Sequence, residues 1–181
     1  MKVIETKLKG CFILEPTVFK DSRGYFFESF NQNNFNGLIG EKINFVQENE
    51  SFSSKGVLRG LHFQAGDHAQ AKLVRVIKGR VLDVTVDIRK KSPTFSKHFS
   101  IELSEDNKRQ LFVPRGFAHG FIVLSETAIF SYKCDNFYNK ASEKGLRYDD
   151  TLLEIDWKLP ANELILSEKD LTLPTLSTII L

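Results

Sequence analysis

Residues 73–88 read LVRVIKGRVLDVTVDI, two runs rich in β-branched residues on either side of Lys78-Gly79-Arg80. A short link containing glycine between two such runs is typical of a β-hairpin. In the second run apolar residues occupy the even positions, while Asp83 and Asp87 share the odd positions with a threonine. Because successive side chains of a strand point to opposite faces, the two aspartates lie together on a face that borders either water or a polar cavity.

Further strand-like runs continue at short intervals after this hairpin. They lie at 95–103, 110–113, 120–124 and 128–134, with turns between them. Several short strands at this spacing predict an all-β fold, built as an antiparallel β-sandwich or barrel.

Helix is predicted in only a few short segments. Residues 31–39 form a short helix that stops at Gly40, and residues 104–109 form a single helical turn. Ser167 and Asp170 have the S-x-x-D spacing of a helix N-terminus.

Length, charge and cysteine content narrow the class of protein. The chain of 181 residues contains no linker, repeat or low-complexity tract, so we expect a single domain over residues 1–181. Its 25 basic and 23 acidic residues nearly balance, and the basic residues are scattered, which argues against nucleic-acid binding. Residues 1–20 lack the apolar run of a signal peptide, and no segment reaches transmembrane length. Cys11 and Cys134 lack metal-ligand spacing and fit a reducing compartment. These features predict a cytoplasmic protein that does not bind a membrane.

Two segments place a histidine beside glycine in a strand-like pattern. Residues 56–64, GVLRGLHFQ, contain His62, and residues 114–120, PRGFAHG, contain His119. The ordinary pKa of histidine lies nearest neutral pH, so histidine is the first candidate for proton transfer. Taken alone, each histidine is more often a packing or hydrogen-bonding residue, so the function depends on its neighbours.

Arg59 and His62 have opposite parity along their strand, so regular alternation would point them to opposite faces. If both side chains reach one cavity, a bulge or irregular link near Gly60 is required.

Several separate motifs occur together in this chain. They are DSRGYFFE at 21–28, VLRGLHFQ at 57–64, QAKLVR at 70–75, the strand at 83–89, PRGFAHGF at 114–121, Tyr132-Lys133, and the segment 166–170. In this order they resemble the dTDP-4-dehydrorhamnose 3,5-epimerase family, over nearly the whole chain. The resemblance implies a cupin-type jelly roll, usually a homodimer, that acts on a dTDP-linked 4-keto-6-deoxy sugar without cofactor or metal. It also implies a product used in a rhamnose-containing surface polysaccharide.

The resemblance also implies roles for four residues. Hydrogens on C3 and C5 of a 4-keto sugar lie α to the carbonyl, so a base can remove them and an acid on the opposite face can return a proton. His62 would be the base, oriented by Asp170, and Tyr132 the acid. Lys72 would stabilise the enolate oxygen.

Further residues are implied to bind the nucleotide sugar. By resemblance, the contacts to diphosphate, deoxyribose, thymine and sugar come from Arg23, Glu28, Gln47, Asn49, Arg59, Lys72, His119, Glu143 and Lys169. Tyr138 would stack on the thymine ring. Asp83 is a candidate to contact one of these site residues without touching the substrate itself.

Three alternatives stay open at this point. PRGFAHG also resembles half of a metal-cupin signature, but His62 is followed by Phe63-Gln64 and not by a second histidine, so we expect no metal site. A non-catalytic binding module would keep the arginines without needing His62 and Tyr132 together. Relatives on this scaffold epimerise only C3 or only C5, and the sequence separates these from a 3,5-epimerase poorly. The many strand edges, and alternating strands such as 11–18, favour pairing or packing across a homodimer.

Overall fold

The computed structural model describes residues 1–179, which form two antiparallel sheets and one separate hairpin. In spatial order the first sheet contains β1 (Lys2–Glu5), β2 (Phe12–Glu15), β10 (Gln110–Val113), β7 (Lys72–Lys78), β12 (Thr127–Cys134) and β5 (Gln47–Ser54). The second contains β13 (Glu143–Gly145), β6 (Leu58–Gln64), β11 (Phe117–Val123), β8 (Arg80–Asp87) and β9 (His98–Ser104). The hairpin consists of β3 (Phe19–Asp21) and β4 (Gly24–Phe26). The predicted all-β, cupin-type antiparallel sandwich is confirmed.

The helices are short, and two of the three predicted helical segments form helices, while the third forms a single turn. Helix α1 (Gln32–Ile39) is capped by the Asn31 side chain and ends at Gly40, whose φ of 76° is left-handed. Helix α2 (Glu168–Leu171) begins after Ser167, as predicted. Single 3₁₀ turns occupy Gly66–His68, Lys140–Ser142 and Ala161–Glu163.

The helical turn predicted at 104–109 is present as one isolated turn, because the Lys108 backbone N–H donates to the Ser104 carbonyl at 3.1 Å, four residues back. It does not extend into a helix, and Asn107 Oδ1 accepts hydrogen bonds from the backbone N–H groups of Ser104 and Arg109. Lys108 takes a left-handed φ of 55°. A short polar side chain that binds nearby backbone groups in this way competes with helical hydrogen bonding.

One core lies between the two sheets. Val74, Val76 and Phe130 from the first sheet pack with Val81 and Phe121 from the second. A second apolar cluster covers the other face of the second sheet, where β6, β8 and β11 meet the chain that follows β13. Strand β8 is therefore buried on both faces.

The two aspartates of β8 are fully buried, on the opposite face from the even-numbered apolar residues. Asp87 binds Arg89, Ser92 and Thr94, whereas Asp83 is the one that lies near the site described next. Neither aspartate therefore faces water, which was one of the two environments predicted for them.

Candidate active site

The centre of the site is a hydrogen bond between His62 on β6 and Asp170 on α2. His62 Nε2 lies 2.5 Å from Asp170 Oδ1, and the Ser167 hydroxyl caps α2 by accepting from the Asp170 N–H at 3.2 Å. Burial raises the pKa of Asp170, but the hydrogen bond and charge of His62, together with the hydrogen bonds from Ser167 and the Gly60 backbone, outweigh it and hold this pKa below its ordinary value. Asp170 is therefore a carboxylate at neutral pH. Since a carboxylate only accepts, Nε2 of His62 carries a proton, and Nδ1 of the neutral ring is left to accept another.

The link at Gly60 brings Arg59 and His62 to the same cavity. The register between β11 and β6 shifts between His119 and Phe121, opposite this point. Gly60 has a φ of 141°, and a Cβ built on it would lie 2.5 Å from the Cα of Gly120. Both Arg59 and His62 line the cavity, so the predicted irregularity is confirmed, and only glycine fits at its centre.

Tyr132 and Lys72 approach the cavity from neighbouring strands of the first sheet. The Lys72 ammonium lies 5.7 Å from the centroid of the Tyr132 ring. Burial lowers the pKa of Lys72 and raises the pKa of Tyr132. The phenol is therefore protonated at neutral pH and available as a proton donor.

The cavity has a volume of about 500 Å³ and is walled by both sheets. A smaller cavity of about 250 Å³ adjoins it and shares His62, Lys72 and Tyr132. The two cavities together form a cleft of the size that small-molecule sites require. His62, Lys72 and Tyr132 lie where the two cavities join, and Asp170 lines the larger one.

Most of the predicted site residues line this cleft. Those in the larger cavity are Arg59, His62, Lys72, His119, Tyr132, Lys169 and Asp170. Those added by the smaller cavity are Gln47, Asn49, Tyr138 and Glu143.

His119 is held by the buried Asp83. His119 Nε2 lies 3.0 and 2.9 Å from the two carboxylate oxygens of Asp83. His119 is also the cross-strand neighbour of His62 in the β11–β6 pair. Two histidines, each bound to a carboxylate, therefore stand side by side at the cavity.

Polar contacts connect the walls of the smaller cavity. The Tyr138 hydroxyl donates to Glu143 Oε2 at 3.0 Å, and the Lys169 ammonium lies 2.6 Å from the same oxygen. Burial raises the pKa of Glu143, but the hydrogen bonds from Lys169 and Tyr138 and the nearby positive charge together outweigh it and leave that pKa below its ordinary value. Gln47 accepts from the Tyr138 backbone N–H and donates to Asn49. The Tyr138 ring is about half exposed, at 51%, which leaves it open to a planar partner.

Arg23 and Glu28 do not line the cleft of their own chain. Arg23 lies at the tip of the β3–β4 hairpin, where its 88% exposed side chain pairs with Asp21. Glu28 is exposed and accepts hydrogen bonds from Asn31 and Asn34. Their contact with substrate stays a prediction.

Several residues that line the cavity are not predicted from the sequence, among them Glu50, Ser51 and Phe130. In β5 Ser51 shares its partly buried face with Gln47 and Asn49, but nearly every residue of the strand is polar, so the sequence carries no alternation that would mark this face. The strand lacks the apolar face of a typical core strand, so its inward side was not recognised.

Two observations concern metals and membranes. Across residues 1–179, no group of three or more His, Cys, Asp and Glu side chains is arranged to hold a metal ion. None of the helices described within that range has the length and apolar character needed to cross a membrane.

Comparison with known proteins identifies the family of the chain. A family model described as dTDP-4-dehydrorhamnose 3,5-epimerase matches residues 5–178. A Shigella flexneri protein of that name is 53% identical over 171 residues, which cover 94% of this chain and 93% of the relative.

Solved structures extend the likeness to the fold. The epimerase of Elizabethkingia anophelis superposes with a TM-score of 0.93 and is 60% identical, covering 97% of this chain and 96% of its own. A Legionella pneumophila dTDP-6-deoxy-D-glucose-3,5-epimerase, solved in complex with dTDP-4-keto-L-rhamnose, has a TM-score of 0.95 and 46% identity, covering 99% of this chain and 94% of its own. The chain belongs to the dTDP-4-dehydrorhamnose 3,5-epimerase family.

Proposed function

We propose that the protein inverts C3 and C5 of dTDP-4-dehydro-6-deoxy-D-glucose to give dTDP-4-dehydro-L-rhamnose. The observation that carries the proposal is the placing of a histidine–carboxylate pair and a protonated tyrosine around one cavity. His62 and Asp170 come from one side of that cavity, and Tyr132 comes from the facing sheet. Inversion of a carbon requires this arrangement, because the proton leaves on one face and returns on the other.

His62 is the proposed base. Its Nε2 is engaged by Asp170, so Nδ1 of the neutral ring is the atom that takes the proton from C3 or C5. The electrons of the broken C–H bond move into an enolate whose charge rests on the C4 oxygen. Asp170 fixes the tautomer and stabilises the imidazolium that forms.

Tyr132 and Lys72 complete the step. The Tyr132 hydroxyl gives its proton to the carbanionic carbon from the opposite face, and solvent restores the phenol and the histidine before the next turnover. The Lys72 ammonium stabilises the enolate oxygen. It does so most effectively where water is scarce, and the burial that lowers its pKa marks such an environment.

The remaining predicted residues are proposed to hold the nucleotide. Arg59 suits the diphosphate, because a guanidinium donates to phosphate through a two-pronged fork. Tyr138 suits the thymine ring, and Gln47, Asn49, Glu143 and Lys169 surround it with donors and acceptors. His119 contacts the sugar or diphosphate from the larger cavity.

We propose that the reaction uses neither cofactor nor metal. The substrate's own carbonyl acidifies the C3 and C5 hydrogens, and Lys72 supplies the positive charge that a metal ion would otherwise bring. Activity that a chelator abolishes and a divalent cation restores would overturn this proposal.

We propose that the protein is a homodimer. The β3–β4 hairpin exposes Phe19 and Phe26 at 62% and 70%, and it carries Arg23 away from its own cleft. Packing of this hairpin against a second copy would cover the aromatic side chains and bring Arg23 and Glu28 toward a neighbouring site. Light scattering at micromolar concentration should give twice the chain mass, and a monomer mass would contradict the dimer.

A cytoplasmic location is also proposed. Cys11 and Cys134 are both free and buried, which suits a reducing compartment.

Proton NMR in deuterated water tests the function directly. The wild-type protein, incubated with dTDP-4-dehydro-6-deoxy-D-glucose, should replace the hydrogens at both C3 and C5 with deuterium and form the L-rhamno product. Inversion at only one of the two carbons would make the protein a monoepimerase. No change at either would contradict the proposal.

A further inference from the structure

Ser51 carries a buried hydroxyl without a hydrogen-bond partner. Among the residues that the structure describes, its Oγ is the one buried side-chain polar atom that lacks a partner. Buried polar groups in folded proteins are nearly always paired, so an unpaired one calls for an explanation. Ser51 also lines the larger cavity, on its β5 wall.

The polar neighbours of Ser51 on the same face of β5 have partners. Asn49 accepts a hydrogen bond from Gln47 at 3.1 Å, and Ser53 accepts one from Arg59 Nε at 3.1 Å. Across the ladder Ser51 faces Phe130, which has no polar side-chain atom to offer. The unpaired hydroxyl therefore lies between two groups that are already engaged.

The charge near Ser51 favours an anionic oxygen as its partner. Ser53 lies two residues along the same face, roughly 7 Å away in a strand, and it holds the Arg59 guanidinium by Nε. Within residues 1–179 the two terminal nitrogens of Arg59 have no protein acceptor and remain available to a ligand. Lys169 adds a second cation to the cavity. Glu50 also lines the cavity, but it lies on the exposed face of β5, opposite to the face that carries Ser51.

Only a side-chain rotation is needed for Ser51 to meet such a ligand. Its Oγ is covered by protein in the structure, while the residue as a whole is part of the cavity wall. A serine hydroxyl moves among three staggered positions about χ1 without any shift of the backbone.

We propose that the Ser51 hydroxyl donates a hydrogen bond to a diphosphate oxygen of the nucleotide sugar, beside the fork of Arg59. This inference rests on the proposed function and adds a binding residue to it. The ligand supplies the acceptor that the protein does not, so the hydroxyl is paired only in the complex.

Calorimetry on Ser51→Ala tests the inference, with dTDP and inorganic pyrophosphate as the probes. Both should bind about tenfold more weakly than to the wild type, as for loss of one hydrogen bond to a charged acceptor. Ser54→Ala, on the exposed face of the same strand, should bind both normally. The thermal unfolding temperature of Ser51→Ala without ligand should stay the same or rise, because alanine removes an unpaired buried hydroxyl.

Three results would overturn the inference. Unchanged affinity for both probes would mean that the hydroxyl contacts at most a water molecule. Weaker binding of the sugar substrate alone would move the contact from the diphosphate to the sugar. Failure of the wild type to bind either probe would overturn the nucleotide assignment as well as the role of Ser51. The first two results overturn only the role of Ser51, because the wild type binds the probes in both.

Discussion

His62 and Asp170 are separated by 108 residues in the sequence, yet their side chains meet at 2.5 Å. The strand that carries His62 ends the first third of the chain, and the helix that carries Asp170 lies close to its end. Contacts between β6 and α2 bring the pair together. The packing of the C-terminal segment against the second sheet thus brings together the proposed base and the carboxylate proposed to orient it.

The first prediction concerns His62→Ala. Because His62 is the proposed base for both carbons, this variant should lose deuterium exchange and inversion at C3 and C5, with a rate lower by about 10²- to 10⁴-fold. Proton NMR in deuterated water measures both carbons in one experiment. His98→Ala, which alters a histidine outside the cleft, is the control and should exchange normally. Near-normal exchange by His62→Ala would assign the base to another residue.

The second prediction separates the acid from the base. In Tyr132→Phe, His62 still removes a proton and returns deuterium to the same face once it has equilibrated with solvent. Exchange should therefore continue while inversion is impaired, most strongly at whichever carbon has Tyr132 as its only donor. The same NMR experiment distinguishes the two, and Tyr148→Phe, in the apolar cluster behind the second sheet, is the matched control. Full inversion by Tyr132→Phe would remove Tyr132 from the mechanism.

Strands β7 to β12 could be predicted from local patterns, because alternation and turn residues are short-range features, whereas the polar strand β5 and the short strands β3, β4 and β13 were not predicted. The run at 110–113 coincides with β10, and the predicted helix at 31–39 matches α1 to within one residue. The helical turn at 104–109 stays a single turn because the Asn107 side chain competes for backbone groups, an effect that pattern alone does not reveal.

Local sequence patterns predict less of the site than of the fold. Nothing in the neighbourhood of Asp170 marks it as more than a residue in the first turn of a helix, and its pairing with His62 follows only from the resemblance or from the fold. Ser51 was missed because a polar strand gives no sign of which side is buried. Ser51 lines the cleft without having been predicted, whereas Arg23 and Glu28 were predicted by the resemblance and do not line the cleft of their own chain.

The third prediction concerns the thymine subsite. Tyr138→Ala should weaken dTDP binding by about 1–3 kcal/mol, the range found when an aromatic platform for a base is removed. Tyr138→Phe keeps the ring and loses only the hydrogen bond to Glu143, so it should bind nearly as the wild type does. Calorimetry with dTDP measures both variants. Phe137→Ala removes the neighbouring exposed ring and serves as the control. Equal affinity in Tyr138→Ala and the wild type would place the base elsewhere.

The last prediction links Asp170 to both activity and acid stability. The pKa of Asp170 in the folded protein lies below the ordinary value of 3.8, so its carboxylate form is favoured by folding. The resulting stabilisation is fully present above the pKa of the unfolded chain and is lost as the pH falls through the lower pKa of the folded protein.

Asp170→Asn should therefore have a lower free energy of unfolding than the wild type at pH 7, and the difference should shrink as the pH falls below about 4. Urea unfolding at several pH values measures it. The same variant should lose about 10²- to 10⁴-fold in kcat, because an amide neither fixes the productive tautomer of His62 nor stabilises its protonated form. Glu168→Gln removes an exposed carboxylate from the same helix and should leave kcat unchanged. A variant that kept wild-type activity while losing stability would make Asp170 a structural partner of His62 and leave the base without its proposed orienting group.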